Sequence, residues 1–365
     1  MIFFVALLVF SFLAFFDLFE INREVRKLII FFMLGAFLVI AGLRSEYESI
    51  SDWGVYSAYF QTAPSITSIF NWDYFISHQY PFEFGYFLLN VVLRSFIESS
   101  YVFFFIVELI ICILLYSSLK KYTDHVAIAL LIYFTVLFTA LDVAFIRQGI
   151  AVLLFLYSVQ YIKQRKLVRY FLWVTAAAAF HGSALVLYPL YFASNRVFSN
   201  KLIIGALAVS ISFFLLKIDI VSPLLNLFPE SPRVEYYLDT PKYSVSRPLS
   251  FTHVEFILIL TVLLFYRSRI DELRASNAYV NIFINLFVIY GMLIFMFFGV
   301  SIVSARLKFY FLTSFLIIFP AVLGLLEKNF RLIGYFILIL YLLIYMTALY
   351  RSTPYFSEYQ NFLFH

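Results

Sequence analysis

Residues 125–162 read HVAIALLIYFTVLFTALDVAFIRQGIAVLLFLYSVQYI, two apolar runs, 125–141 and 143–162, set back to back around Asp142 and the pair Arg147-Gln148. Each run has the length a helix needs to cross a hydrocarbon core of about 30 Å, roughly 17–25 residues. The stretch therefore reads as two successive membrane helices with a few polar groups at their junction.

The same pattern continues in both directions, with further runs near 2–18, 28–43, 82–97, 101–118, 169–192, 202–216, 252–266, 278–298, 306–326 and 331–349. Composition agrees: of 365 residues, 64% are hydrophobic and 13% charged, and the mean hydropathy is +0.94. A soluble domain has about 45–50% apolar and 25% charged residues. The expected fold is an all-α polytopic membrane protein, one integral membrane domain over residues 1–365 with about ten to twelve transmembrane helices, some of them re-entrant or broken. A GT-C-like architecture is compatible with that count. The first run lacks the basic start and the small-residue cleavage site of a secretory signal, so it is expected to be a retained helix.

The formal net charge of +5 sits in short inter-helix loops rather than in one basic module, which argues against nucleic acid as a partner. The clusters Arg23, Arg26 and Lys27, Lys120 and Lys121, Lys163 to Arg169, and Arg267 to Arg274 mark cytoplasmic sides by the positive-inside bias. If 82–97 were a full span, Lys120 and Lys121 would fall outside. That segment, which holds Glu83, Asn90 and Arg94, is therefore expected not to cross, and 169–192 is expected to break at His181-Gly182. The long loops 44–81 and 217–251 and the termini then fall outside. Cys112, the single cysteine, excludes an intrachain disulfide and a thiolate metal cluster.

Polar residues at membrane depth are costly and need a reason. Arg147-Gln148, at the start of a helix, can offer a guanidinium fork and an amide to a phosphate; the alternatives are interfacial snorkelling and an ion pair with Asp142. His181 follows four alanines that allow close helix approach, and it serves as a base, as a donor to substrate, or as a satisfied bundle residue. Glu83 begins its segment with Tyr86 and Asn90 on the following turns, and it acts in catalysis or pairs an arginine. Arg44 lies at a membrane exit, followed by Asp52 and Tyr56 at i, i+4 spacing. Arg306 is either a further external cation or an interface anchor. Arginines, carboxylates and one histidine in a chain with 28 Tyr and 48 Phe suit an anionic head group on a lipid tail, with aromatic faces for sugars. No nucleotide-binding fingerprint occurs, so the driving energy must come from an activated membrane substrate or a gradient.

At these residues the sequence resembles the EpsG-type, Wzy-like family of bacterial polysaccharide polymerases, which assemble O-antigen, capsule or exopolysaccharide. The matching order is GLR…D…Y (Gly42, Leu43, Arg44, Asp52, Tyr56), E-x-G-Y-x-L-L-N (Glu83 to Asn90), RQ-x-IA (Arg147 to Ala151), A-x-x-F-H-x-S-A-L (Ala177 to Leu185) and an Arg-aromatic helix from Arg306. The first loop departs from the pattern, reading SEYESISD where many relatives have a Gly-rich tract before a similar Asp.

The resemblance implies a bacterial cytoplasmic-membrane glycosyltransferase. It would move a growing glycan from undecaprenyl diphosphate to a lipid-linked repeat unit on the external face, in a membrane shared with a flippase and a chain-length regulator. Arg44, Arg147, Gln148 and Arg306 would hold the diphosphate, and Tyr56 and Tyr86 the sugars. One of Asp52, Glu83 and His181 would be the base, with neither metal nor cofactor. A flippase for lipid-linked oligosaccharide is the first alternative, and it should carry charges deep on several helices. A membrane O-acyltransferase is the second, and it needs a path for a cytoplasmic thioester.

Overall fold

The computed structural model describes residues 2–45, 52–69, 82–220, 223, 249–266, 279–298, 301–352 and 359–362. Residues 46–51 and 70–81 of the first long connection, among them Glu46 and Glu48, lie outside these, as do most of the second connection and the cluster Arg267, Arg269 and Arg274. The described residues are all-α, and the chain divides into two compact units, Met1–Tyr191 with Phe319–His365, and Phe192–Ile318. Among the described residues, five helices are long and apolar enough to cross a membrane, and seven apolar helices are shorter.

The first unit opens with α1 (Ile2–Phe15) and α2 (Arg23–Gly42). In α1, Phe3, Leu7, Phe10 and Ala14 form one buried stripe, while Val5, Leu8 and Phe12 are exposed, as expected of a helix with one face on its bundle and the other on lipid. Asn22 caps α2 through the Glu24 N–H. The first long loop is not structureless: it contains α3 (Trp53–Thr62). Next come α4 (Phe84–Arg94) and α5 (Ser100–Tyr122). With 11 residues, about 16 Å of helix, α4 is too short to span, as the charge parity required.

The centre of this unit is α6 (Val126–Tyr133), which runs into a π-helical segment, Phe134–Ala144. Of its span, 94% is buried, against 22% for the last helix, so the former is the core and the latter faces lipid. Phe145 interrupts the chain before α7 (Ile146–Lys163), and α8 (Leu167–Phe180) follows. The helix ends at His181, in extended conformation, before a 3-10 turn, Gly182–Leu187, which is where the sequence placed the break.

Asp17, buried between α1 and α2, accepts from the Ala127 and Ile128 N–H groups at 2.7 and 3.2 Å and so caps α6 from a distant part of the chain. Arg26 stands 3.6 Å from its other oxygen. Asp17→Ala orphans two helix donors and is expected to cost about 1–2 kcal/mol, measurable as a lowered melting temperature of the purified protein in detergent.

The second unit contains α9 (Asn200–Leu215), α10 (Phe251–Phe265), α11 (Val280–Met296) and α12 (Ser301–Leu312). Asn281 and Asn285, one turn apart on α11, both donate to the Arg196 carbonyl, and Asn285 also to that of Ser194. Gly291 is pressed by the Phe256 ring, which a Cβ would meet at 1.8 Å. After α12 the hydroxyls of Thr313 and Ser314 turn back to the Tyr310 and Phe311 carbonyls, breaking the helix before α13 (Phe315–Leu325). The chain then forms α14 (Lys328–Ser352).

Candidate active site

In the first unit, the starts of α3, α4 and α7 and the end of α8 bring Asp52, Tyr56, Glu83, Arg147 and His181 together. Arg147 stands in the first turn of α7. Its Nη1 donates to Glu83 Oε2 and its Nε to the Tyr56 hydroxyl at 3.4 Å. That hydroxyl, having accepted from Arg147, donates its own proton to Asp52 Oδ2 at 3.2 Å. Neither bond uses Nη2, and the side chain keeps 17% exposure. The guanidinium lies over the Phe82 ring at 4.4 Å, with Tyr56 and Tyr86 at 5.7 and 5.9 Å.

Two glycines allow these approaches. A Cβ on Gly149 would lie 2.6 Å from the Leu141 carbonyl oxygen, so glycine lets the first turn of α7 rest on the backbone of the π-helical segment. A Cβ on Gly85 would lie 2.8 Å from the Ala179 carbonyl oxygen. That contact, between α4 and the alanine run of α8, lets the Gly182 N–H reach Glu83 Oε1 at 3.4 Å.

Arg147 pairs with Glu83 rather than with Asp142, which accepts from the Tyr133 hydroxyl at 2.5 Å. His181 Nδ1 accepts from the Ser183 N–H at 3.4 Å and lies 2.7 Å from that residue's hydroxyl, so the neutral ring carries its proton on Nε2.

Burial opposes charge on Glu83, but Arg147, His181 and the Gly182 N–H outweigh it and hold the carboxyl below its ordinary range. A carboxylate whose folded value is depressed stabilises the fold above its unfolded value, about 4.3, and that contribution is lost as pH falls through the folded value. The difference in melting temperature between wild type and Glu83→Gln is therefore expected to be constant from neutrality down to about pH 5 and to shrink only below about 4.3. Burial also pushes the Tyr56 hydroxyl up to about 12, so it stays protonated and able to donate to Asp52.

Other sequence candidates lie differently. The Tyr56 and Tyr86 rings are buried, at 2% and 0% exposure, and here frame the arginine rather than present a face to a sugar. Gln148 is buried beside Arg147. Arg44, also in this unit, is 3% exposed; its Nη1 donates to the Ala41 carbonyl, and its guanidinium lies 4.6 Å over Phe104. Residues 359–362 cover it: Ser45 N–H donates to the Gln360 carbonyl and Phe362 N–H to that of Leu43. Arg306, in the second unit, lies half-buried on α12. Sequence reasoning passed over Phe82, Gly85 and Gly149. The glycines stand inside the E-x-G-Y and Arg147–Ala151 stretches, where a small residue two positions after a charged one was the available signal. Among the described residues no group of three or more His, Cys, Asp or Glu could hold a metal ion.

The site joins an arginine, two carboxylates, a tyrosine and a histidine at the head of a helix. Helix N-terminal N–H groups and a guanidinium both favour an anion there. No curated protein and no solved structure matches the chain. A family model does, over residues 27–362, and with that match spanning nearly the whole chain, this multi-pass α-helical membrane protein belongs to the EpsG family.

Proposed function

We propose that this polysaccharide-polymerase-like membrane protein is a glycosyltransferase that moves a growing glycan from a lipid diphosphate, undecaprenyl diphosphate, to a sugar hydroxyl of a lipid-linked repeat unit. The observation that carries the reading is Arg147: two of its nitrogens are fixed by Glu83 and Tyr56, and the Nη2 edge remains for a phosphate oxygen. In the transfer the acceptor hydroxyl gives its proton to Asp52 and its oxygen bonds to the anomeric carbon. The bond from that carbon to the diphosphate breaks, and the electron pair leaves with the diphosphate, whose charge Arg147 receives. Glu83 is spent on Arg147 and Gly182, so it orients rather than takes the proton. The His181 Nε2–H donates to a phosphate or sugar oxygen. Gln148 supports the Arg147 turn, and Tyr56 and Tyr86 hold the guanidinium under the sugar site.

The placement of the site supports transfer on the external face. Ser100, at the start of α5, lies 2.8 Å from Ser57 on α3, beside Tyr56. The other end of this 23-residue helix, about 34 Å away, carries Lys120 and Lys121. That length crosses a hydrocarbon core, and the positive-inside bias puts the lysine end in the cytoplasm.

The test is glycan length on a gel from cells lacking the gene, with and without complementation by the wild type. Single repeat units in the null, restored to polymer by the wild type, support a polymerase. Loss of even single units would mean that no subunit reaches the outer face, and would favour a lipid-linked oligosaccharide flippase.

A further inference from the structure

The ends of α5, α7 and α8 remote from Arg147 form a second polar feature, which glycan transfer leaves unused. Lys120 and Lys121 end α5, Lys163 ends α7, Arg165 and Lys166 lead into α8, and Arg169 stands in its first turn. Helix α7 packs against both α5 and α8, and its Tyr157 touches residues of each. The Lys121 ammonium is 3.5 Å from the centre of its ring, and the centre of the Trp173 ring is 4.6 Å from it.

Arg169 lies one turn from Trp173, towards the helix end, and Lys163 lies six residues beyond Tyr157. An aromatic layer is thus followed by a cationic one. That is the order of a membrane interface, where Trp and Tyr sit at head-group level. Leu167, Val168 and Leu172 are exposed on the same part of α8, giving acyl chains an apolar surface. Asp124, exposed in the turn after α5, is the nearest acid along the chain. None of these cations is in an ion pair, the pairs among the described residues being Arg26 with Asp17, Lys27 with Glu24 and Arg147 with Glu83. Arg165 also holds a left-handed backbone, φ 54°, which an L-residue adopts only under strain; the fold keeps a long cation where glycine would be relaxed.

We propose that this end of the first unit is a binding site for the phosphate head group of an anionic phospholipid, seated on Tyr157 and Trp173 and held by Lys121 with the cations of residues 163–169. A lipid fits better than a free phosphate because the cations adjoin an aromatic layer and exposed apolar side chains. The site is independent of the transfer chemistry, which lies at the opposite end of α5.

The full-length protein in detergent is titrated with phosphatidylglycerol or phosphatidylcholine, and retained lipid is counted by native mass spectrometry. Each surface cation contributes about a factor of five towards an anionic lipid, so K163Q/R165G/K166Q is expected to bind phosphatidylglycerol about a hundredfold more weakly. Phosphatidylcholine retention and melting temperature without added lipid should be unchanged. Arg165→Gly alone relieves the strained turn, so its fold is not at risk, and it should lose about fivefold. Equal retention of the two lipids by the wild type, wild-type phosphatidylglycerol binding by the triple variant, or displacement of the lipid by an equal concentration of inorganic phosphate overturns the proposal.

Discussion

Arg147→Ala is expected to lower polymer at least about a hundredfold, the scale on which removing one charge-stabilising donor slows an acyl or phosphoryl centre, while the protein still inserts and accumulates. The expectation follows from how the guanidinium is divided. Nη1 and Nε anchor it to Glu83 and Tyr56, Phe82 supports its face, and the remaining edge is presented at the head of α7. Arg147→Lys is expected to recover little, because a compact ammonium cannot hold a carboxylate and a hydroxyl and still offer a planar edge to a phosphate. Glu83→Ala should reduce polymer through the same element, so the double variant should be no worse than Arg147→Ala alone, as for residues that act as a unit. Glycan length on gels, normalised to protein in the membrane fraction, reads all three. Full-length polymer at wild-type level from Arg147→Ala would remove this residue from the mechanism.

Asp52→Asn should cost about 10²–10⁴-fold in transfer rate, the usual contribution of a positioned general base. Asparagine keeps an oxygen for the Tyr56 hydroxyl and close to the same shape, so the change removes basicity and little else. Tyr56→Phe leaves the carboxylate in place but unaligned, and the smaller loss expected from it separates orientation from proton transfer. The decisive measurement is the rate with purified protein and lipid-linked repeat units. A wild-type rate in Asp52→Asn would move the base to His181.

The membrane fold was legible without coordinates because insertion and helix formation are local. A run such as 101–118 declares itself by composition, and α5 (Ser100–Tyr122) follows it closely. Positive charge in short loops carried further: it required 82–97 not to cross, and α4 is indeed too short. The break at His181-Gly182 was equally local, a polar residue and a glycine ending an alanine-rich helix. The expected number of long spans was less well determined, since several apolar runs form helices of only 10–17 residues. Hydropathy detects an apolar run, but not where the backbone turns within or beside it, as at Phe145 or Thr313-Ser314.

The sequence by itself thus determined that the chain lives in a membrane, where most of its helices begin and end, and that Arg147, Glu83 and His181 are polar groups in need of partners. Only the tertiary structure decided which partners they have. Glu83 rather than the nearby Asp142 neutralises Arg147, and Arg44 lies covered by residues near the far end of the chain. The physical reason is distance. Helix propensity and hydropathy act over a few residues, whereas an ion pair between positions 64 apart in sequence forms only if the backbones can approach. That approach depends on contacts as small as the missing Cβ atoms of Gly85 and Gly149.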